Sequence, residues 1–547
     1  MPSLYPPARA GRLLLGPIVG HTDHHSTRIW IRVRDDPSTY YLRVTGHGIF
    51  RFHSTEAPSK PEFGTAIAVA DGLRPDWKYR YQVLKNGRVV ARSRGTFRTM
   101  PLPGSQADML FVSLSCSHRE EPGAWQLLDD YVNKAGPRFL LMLGDQVYLD
   151  QGDNVWEQHL DSAPSKRRRA MADKYQEHWS WEPIRSLMAN TPTYMIWDDH
   201  EIRDGWGSWA EDSPTLARRY PRGAKITDAY ERFMMDARDV YWHFQMSRNP
   251  QGQPQSLPAE PGTNRFAIPY WFQCGRLAVL VLDGRGARDV FREKDPILGS
   301  AQWQFIKDFI DKLPSDIDAL AVVTPAPIVS MDPEGLSQRS LGGRMDDVEL
   351  YRQGRAKELL QLHRGLDDSG WAQAKAVMSE YIPILPREIS DFKIEDLDDI
   401  RDQWAHKWSR PEQARLIREV DRSTRVNRLP SQPRSVMFLG GDIHVGAHFE
   451  ISIGNSRIPC LVSSAISQGP PPLHLLKNVG VLVDEKFSVA DGISAQLKTF
   501  VRANNFCVTQ ATFTRSVPSM ISALAHEGDA DYWSTELPLS ARRVLGI

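Results

Sequence analysis

The stretch Phe139-Leu-Leu-Met-Leu-Gly144-Asp145-Gln-Val-Tyr148 joins a short apolar run to a polar cluster. An apolar run of this length is typical of a strand that is buried on both faces. Four other stretches repeat the arrangement: Phe111-Val-Ser-Leu-Ser-Cys116, Tyr194-Met-Ile-Trp-Asp198-Asp199-His200-Glu201, Leu277-Ala-Val-Leu-Val-Leu-Asp283-Gly-Arg285-Gly-Ala-Arg288 and Val436-Met-Phe-Leu-Gly440-Gly-Asp442-Ile-His444. Because ligands of α/β sheets collect at the carboxyl ends of the strands, we expect the five clusters to face one crevice.

The polar clusters are rich in carboxylate and imidazole groups, which are common metal ligands. The segment His200 to Asp204 begins like a zincin helix, but Asp204 stands where a zincin has its second histidine. Cys116 as the nucleophile of a phosphatase loop would need a glycine-rich anion cradle, and Glu120 and Glu121 follow it instead. The sequence contains no glycine-rich nucleotide-binding loop. Together the clusters predict a metal-dependent phosphoester hydrolase.

These motifs resemble the PhoD-like alkaline phosphatases and phosphodiesterases, a branch of the calcineurin-like metallophosphoesterases related to purple acid phosphatases. The resemblance runs from about Leu13 to Thr512, and its most specific parts are Trp-Asp-Asp-His-Glu at 197–201 and Gly-Asp-Ile-His at 441–444. It implies an α/β (α+β) metallophosphoesterase fold of two packed mixed β-sheets flanked by helices. It also implies hydrolysis of phosphomonoesters or phosphodiesters by a metal-activated hydroxide, as in alkaline phosphatase D.

Two neighbouring metals need a bridging ligand, and Asp145, at a tight turn after a strand, suits that role. Cys116 stands where many metallophosphoesterases have Asp, and a thiolate favours a softer or trivalent metal. The resemblance implies Fe³⁺ in this first site, with Tyr148 as a phenolate ligand and His444 completing the site. Other interpretations stay open: His118 is an alternative ligand, and Cys116 and Tyr148 would also suit a hydrophobic core.

The second site is predicted to be rich in oxygen, with Asp199 and Asp442 as ligands. Carboxylates without imidazole suit hard cations, and the resemblance implies Ca²⁺, with Mn²⁺, Mg²⁺ or Zn²⁺ as alternatives. His200 is a candidate for contacting the phosphoryl oxygen or protonating the leaving alkoxide. Arg285 and Arg288, on the loop after a strand, are candidates for neutralising the charge of the equatorial oxygens.

Composition narrows the possible partners. Lys plus Arg and Asp plus Glu each total 67, so no net field attracts nucleic acid or anionic lipid. We therefore expect a small-molecule or polymeric phosphoester substrate, with nucleic acid not favoured. A non-catalytic phosphate-ligand binding protein on the same fold and a nuclease are the alternatives. No apolar stretch has the length of a membrane helix and no signal peptide is recognisable, which predicts a cytoplasmic protein without a membrane span.

The organisation of the chain changes near residue 100. Up to that point apolar and polar residues alternate, and Asn86-Gly87 predicts a hairpin turn. We expect residues 1–100 to form a fibronectin-III/Ig-like β-sandwich and residues 101–547 the metallophosphoesterase domain. A charged, mainly helical insertion is predicted at about 331–400. The four cysteines are too few for a disulfide framework, and Cys274, Cys460 and Cys507 are predicted core residues.

Overall fold

The structure is a computed structural model. It describes residues 13–56, 62–118, 122–207, 224–250, 256–288, 296–330, 402–406, 408–469, 486–513, 518–526 and 531–534. The predicted insertion at about 331–400 lies outside these residues, so it stays a prediction. Within the described ranges, no helix has the length and apolar character needed to cross a membrane.

The N-terminal strands form two four-stranded antiparallel sheets. The first contains β1 (Leu15–Thr22), β2 (Thr27–Arg32), β5 (His53–Ser54) and β6 (Thr65–Ala70), in the order β1-β2-β6-β5. The second contains β3 (Tyr40–Val44), β4 (Gly48–Arg51), β7 (Lys78–Lys85) and β8 (Arg88–Arg98), in the order β4-β3-β7-β8. Both sheets contribute to one hydrophobic core, so they pack face to face. The fibronectin-III/Ig-like character and the boundary at residue 100 stay predictions.

The hairpin of β7 and β8 follows from its sequence. Tyr79, Tyr81 and Val83 of β7 are buried, and the residues between them are more exposed, as expected for a strand with one face on a core. Asn86 and Gly87 have φ angles of 49° and 75°, which a type I′ turn requires. The hairpin turn predicted at these two residues is confirmed.

The first N-terminal sheet also packs against the rest of the chain. Leu15, Ile18 and Trp30 belong to the large core of the following residues rather than to the core between the two N-terminal sheets. The indole N–H of Trp30 donates a hydrogen bond of 2.9 Å to the carbonyl oxygen of His243. This sheet therefore lies between two hydrophobic cores.

Two larger mixed sheets follow. The five-stranded sheet contains β9 (Met109–Leu114), β10 (Phe139–Met142), β11 (Thr193–Met195), β20 (Asn505–Thr512) and β21 (Ser519–His526), in the order β11-β10-β9-β20-β21. The nine-stranded sheet contains β12 (Tyr270–Cys274), β13 (Leu277–Val281), β14 (Ala319–Val323), β15 (Ser435–Gly440), β16 (Gly446–Ile453), β17 (Ser456–Ser463), β18 (Lys486–Ala490), β19 (Ile493–Arg502) and β22 (Asp531–Ser534). Its order is β12-β13-β14-β15-β17-β16-β19-β18, and β22 also pairs with β19.

Helices flank these sheets. The described α-helices are α1 (Trp125–Ala135), α2 (Val155–His159), α3 (Pro164–Trp179), α4 (Glu182–Asn190), α5 (Ala224–Phe244), α6 (Gly299–Asp311) and α7 (Arg410–Ser423). Short 3₁₀ turns occur at Pro37–Thr39, Asp199–Glu201 and Met246–Arg248. Local sequence sets several helix ends: α3 begins with Pro164, and α1 ends at Gly136 in a left-handed conformation.

Alternate residues of β14 show how the layers pack. Ala319, Ala321 and Val323 face the core shared with the five-stranded sheet, whereas Leu320 and Val322 face the core shared with α6 and α7. The nine-stranded sheet is therefore covered by the other sheet on one face and by helices on the other. The predicted α/β (α+β) fold of two packed mixed sheets flanked by helices is confirmed.

All five predicted strands are present, as β9, β10, β11, β13 and β15. The first three run parallel in the five-stranded sheet, and the last two run parallel to β14 in the nine-stranded sheet. Their polar clusters therefore meet from two sheets. Cys274, Cys460 and Cys507 are buried free thiols, which confirms their prediction as core residues.

The loops after β10 and β11 touch at Gly144, which has a φ of 118°. A Cβ atom at this position would lie 2.5 Å from Cβ of Asp198. We expect Gly144→Ala to lower the free energy of unfolding by about 3 kcal/mol, because the collision adds to backbone strain. Gly136→Ala is the matched control: its φ is 62°, no described atom lies within 4 Å of the added Cβ, and the cost is about 1 kcal/mol. Equal decreases in the two thermal unfolding midpoints would contradict the prediction.

Candidate metal centre

The polar clusters at the strand ends meet in three overlapping groups of ligand atoms. Within each group the atoms lie within 4.8 Å of one another, and the groups are Cys116–Asp145–His444, Asp145–Asp199–His200 and Asp198–Asp199–Asp442. Asp145 belongs to the first two groups, and Asp199 belongs to the last two. The shared members make the groups one continuous set of donors, each group of which could hold a cation.

The first group combines three kinds of donor, and Tyr148 adds a fourth beside it. Sγ of Cys116 lies 3.3 Å from Oδ2 of Asp145 and accepts a hydrogen bond of 3.0 Å from the Ser464 hydroxyl. The hydroxyl of Tyr148 lies 3.4 Å from Nε2 of His444. The structure thus brings together the thiol, carboxylate, phenol and imidazole that the sequence predicted for the first metal site.

The backbone at the centre has an unusual conformation. The φ angles of Cys116, Asp145, Asp442 and His444 are 56°, 54°, 70° and 55°. Residues with a side chain rarely adopt this left-handed region, and such strain concentrates at functional sites. The N–H of Cys116 donates to the carbonyl oxygen of Gly144 at 3.1 Å, so the first two loops hold each other in place.

The third group, Asp198–Asp199–Asp442, consists of carboxylates alone. Oδ2 of Asp199 accepts a hydrogen bond of 2.6 Å from the N–H of Gly205, and the amide of Gln403 donates to Oδ2 of Asp442. Among the described residues, Oδ1 of Asp199 and Oδ2 of Asp198 are buried without a hydrogen-bond donor. Buried carboxylate oxygens without a partner are costly, and a bound cation would supply the missing contact.

Electrostatics also fit a metal. Burial raises the pKa of Asp145 well above its ordinary value, and the charge of Asp199 raises it further. Burial and the charge of Asp198 do the same to the pKa of Asp442. Burial, with the Asp145 charge added, raises the pKa of the Cys116 thiol. Burial and mutual repulsion thus disfavour the charged forms of these groups. A bound cation would favour the charged forms instead, because it binds the deprotonated ligands.

Glu201 organises the backbone around the ligands. Its Oε2 accepts the N–H groups of Asp145 and Asp198 at 3.0 and 2.9 Å. Its Oε1 accepts the N–H of Gln146 at 2.7 Å and the side-chain amide of Gln245 at 3.0 Å. One buried carboxylate therefore ties the loop after β10 to the loop after β11. The sequence showed Glu201 in a specific motif but did not reveal this role.

His200 is oriented by Asp150, a residue that the sequence analysis did not identify. Oδ1 of Asp150 lies 2.8 Å from Nδ1 of His200, and its Oδ2 accepts the N–H of Asp204 at 2.5 Å. Burial alone would lower the pKa of His200, but Asp150, Asp199 and Asp145 raise it well above its ordinary value. Because Asp150 holds Nδ1, the other ring nitrogen of His200 is available to the centre.

Arg285 lies among carboxylates. Its guanidinium pairs with Asp198 through Nε and with Asp402 through Nη1 at 2.6 Å. Its Nη2 lies 3.9 Å from Oδ1 of Asp199 and 3.8 Å from Oδ1 of Asp442. Burial opposes its charge, yet these carboxylates raise the pKa of Arg285. Asp402 thus supplies a partner to Arg285, and the neighbouring Gln403 supplies one to Asp442.

Two other predicted residues lie at the margin of the centre. Arg288 is buried, and its Nη2 donates to the carbonyl oxygen of Gly207 at 3.1 Å. The ring of His118 packs edge-on against Tyr148, with 5.2 Å between the ring centroids. His118 belongs to none of the ligand groups found among the described residues. The structure therefore places His118 beside the first site rather than within its ligand groups.

Two packed mixed sheets with such donors between them define a metallophosphoesterase-like protein. Residues 111–479 match the family model described as PhoD-like phosphatase, and residues 10–102 match one described as a domain of unknown function, DUF7800. Because the first match spans more than half of the sequence, the chain belongs to the PhoD-like phosphatase family. No curated protein sequence matches the chain.

Comparison with solved structures finds two similar phosphatases. The chain is similar to a structure of PhoD, with a TM-score of 0.55 and 15% identity over 98% of this chain and 95% of that chain. It is also similar to a purple acid phosphatase isolated from yellow lupin (Lupinus luteus) seeds, with a TM-score of 0.45 and 9% identity over 93% of this chain and 74% of that chain. The likeness to PhoD supports the fold alone at this level of identity.

The contacts of Glu201 generate a prediction about stability. We expect Glu201→Gln to lower the free energy of unfolding of the metal-free protein by about 2 kcal/mol, because the new amide N–H₂ faces backbone N–H groups that lose their acceptor. Glu157→Gln on α2 is the matched control, since Glu157 is exposed, and it should change stability by less than about 0.5 kcal/mol. Thermal unfolding measures both variants, and equal midpoints would contradict the role assigned to Glu201.

Proposed function

We propose that this chain hydrolyses phosphate esters, both monoesters and diesters being candidate substrates, as an alkaline phosphatase D-like enzyme. The observation that carries the proposal is the meeting of Cys116, Asp145, Asp199, Asp442 and His444 at one point in a PhoD-like phosphatase fold. The two sides of the centre have unlike donor sets: one side has a thiol, a carboxylate and an imidazole, and the other has carboxylates alone. Unlike donor sets favour two different metals.

The proposed ligands divide between two cations. Cys116, Tyr148 and His444 would hold Fe³⁺, and Asp199 and Asp442 would hold Ca²⁺, with Asp145 shared between the two sites. Mn²⁺, Mg²⁺ and Zn²⁺ are alternatives for the all-carboxylate site. When bound, the two cations would lower the pKa of water and neutralise charge on the phosphoryl group.

His200 is the proposed proton donor to the leaving alkoxide. Its Nδ1 is held 2.8 Å from Asp150, so the ring has a fixed orientation and Nε2 is the nitrogen that can carry a proton to substrate. The neighbouring carboxylates favour the protonated imidazole, as their effect on the pKa of His200 indicates. A positioned acid of this kind typically contributes about 10²–10⁴-fold in rate.

Arg285 is proposed to act through the carboxylates. Because its guanidinium already pairs with Asp198 and Asp402, the geometry favours a role in holding the acidic ligands together over direct contact with phosphoryl oxygens. Its position near Asp199 and Asp442 offsets part of their mutual repulsion. Contact of Arg288 with the phosphoryl group stays a prediction from the sequence.

Two substitutions separate ligand binding from proton transfer. Asp145→Asn should lower turnover of an aryl phosphoester by at least ~10³-fold, equivalent to about 4 kcal/mol, and should reduce the bound metal. His200→Ala should lower turnover by about 10²-fold and retain the metal, because it removes an acid rather than a shared ligand. Asp161→Asn, at an exposed position, is the control for both. Metal loss in His200→Ala as complete as in Asp145→Asn would mean that His200 is a ligand.

Visible absorption tests the ligands of the first site. If Cys116 or Tyr148 binds Fe³⁺, the purified protein should absorb in the visible region through ligand-to-metal charge transfer. Cys116→Ser and Tyr148→Phe would show which residue is the source, and chelation should remove both the band and the activity. Cys116→Asp should retain more activity than Cys116→Ala, because Asp restores an anionic ligand. Full activity after thorough chelation, or full recovery with Mg²⁺ alone, would refute a mixed-metal centre.

A further inference from the structure

A small cleft opens beside the metal centre. The space inside it that a water-sized molecule can occupy is about 20 Å³, and its polar lining consists of Ser117, His118, Tyr148, Gln151, Lys174 and His178. Ser117, Tyr148 and His178 are buried, whereas His118, Gln151 and Lys174 are half-buried. The cleft therefore has a buried floor and a rim that a small molecule can reach.

Tyr148 connects the cleft to the centre. Its hydroxyl lies 3.4 Å from Nε2 of His444, and its ring centroid lies 4.2 Å from that of His200. Ser117 and His118 follow Cys116 directly in the chain. Because Tyr148 belongs to both the cleft lining and the proposed ligands, the cleft lies next to the centre.

The lining of the cleft is suited to an anion. Lys174 and His178 are four residues apart on α3, so they lie on the same face of that helix. Nζ of Lys174 donates to the carbonyl oxygen of Gln151 at 2.8 Å, which fixes the ammonium group at the rim. Oγ of Ser117 lies 2.5 Å from Nε2 of His178 at the floor. No carboxylate occurs among the described residues that line the cleft, and an ammonium group such as that of Lys174 can bind a phosphate or a carboxylate.

We infer that the cleft is a subsite for a second anionic group on the leaving alcohol of the substrate. The preferred substrates are then phosphoesters whose alcohol carries a phosphate or a carboxylate. This inference rests on the proposed function and adds to it a class of substrate. The subsite takes part in no bond-making step; it binds and orients the leaving group.

Matched esters test the subsite. The metal-loaded protein would be given 4-phosphonophenyl phosphate, 4-carboxyphenyl phosphate and the uncharged 4-carbamoylphenyl phosphate, and release of inorganic phosphate would give kcat and KM. The variants are Lys174→Met, which removes the charge at similar size, Lys174→Arg, which retains it, and Lys166→Met, a control at an exposed position near the start of α3. For each variant, kcat/KM for an anionic ester is divided by kcat/KM for the neutral ester. Comparing this ratio between variants removes the effect of the different intrinsic reactivities of the esters.

We expect Lys174→Met to lower the ratio for at least one anionic ester about tenfold, mainly by raising KM, as the loss of a charge-assisted hydrogen bond would. Lys174→Arg should keep most of the preference, and Lys166→Met should keep all of it. His118→Gln, on another part of the lining, should lower the ratio in the same direction and serves if Lys174→Met does not fold. A larger preference for the phosphonate or for the carboxylate identifies which anion the cleft takes, and either supports the subsite.

Two contrary results are distinguishable. If the protein hydrolyses all three esters and the ratios are the same in wild type, Lys174→Met and His118→Gln, the subsite is refuted while the proposed function stands. If the metal-loaded wild type hydrolyses none of the esters, the proposed function fails and the subsite inference fails with it.

Discussion

The approach of several carboxylates to one point between the two large sheets is the constraint on which the rest of the structure depends. Asp145, Asp198 and Asp199 are buried there, and the side chain of Asp442 is only 11% exposed. Negative charges held this close and away from water repel one another strongly. The fold counters the repulsion with Arg285 and with backbone N–H groups, and the remaining oxygens suit cations. A cation bound here would therefore couple metal binding to folding.

The loops that carry the ligands are held by contacts between strand ends rather than by each strand alone. Glu201 binds the backbone of the loops after β10 and β11 together, and Gly144 lets those loops approach at van der Waals distance. The left-handed conformations of Cys116 and Asp145 are strained locally. Dense packing of the apolar strands beneath them offsets that strain, because the loop ends have no room to relax. The arrangement of these loops is thus a property of neighbouring strands of the five-stranded sheet acting together.

Sequence patterns predicted the strands and many of the converging residues for a clear physical reason. A continuous apolar run indicates a strand that is buried on both faces, as β10 and β13 are. Polar residues directly after such runs lie where strand ends meet. An apolar run does not indicate which sheet its strand joins. The sequence therefore could not predict that the polar clusters come together from two sheets.

Contacts between distant loops leave no local pattern in the amino-acid sequence. Asp150 orients His200 across 50 residues, and Asp402 reaches Arg285 across 117. Arg285 is the clearest example. An arginine that follows a strand gives the same sequence pattern whether its side chain contacts a phosphate or a set of carboxylates. Likewise, nothing in the sequence around Glu201 distinguishes a metal ligand from a residue that accepts backbone hydrogen bonds. Only the three-dimensional arrangement separates these roles.

The position of Trp30 has a consequence for how the protein is divided. Its side chain is fully buried in the core of the following residues, and its indole is hydrogen-bonded to the carbonyl of His243. A cut of the chain at residue 100 would therefore open a hydrophobic surface on each fragment, although the sequence changes character there. The N-terminal strands therefore cover one side of the core of the following residues, and joining them to an unrelated partner would require a matching apolar face on that partner.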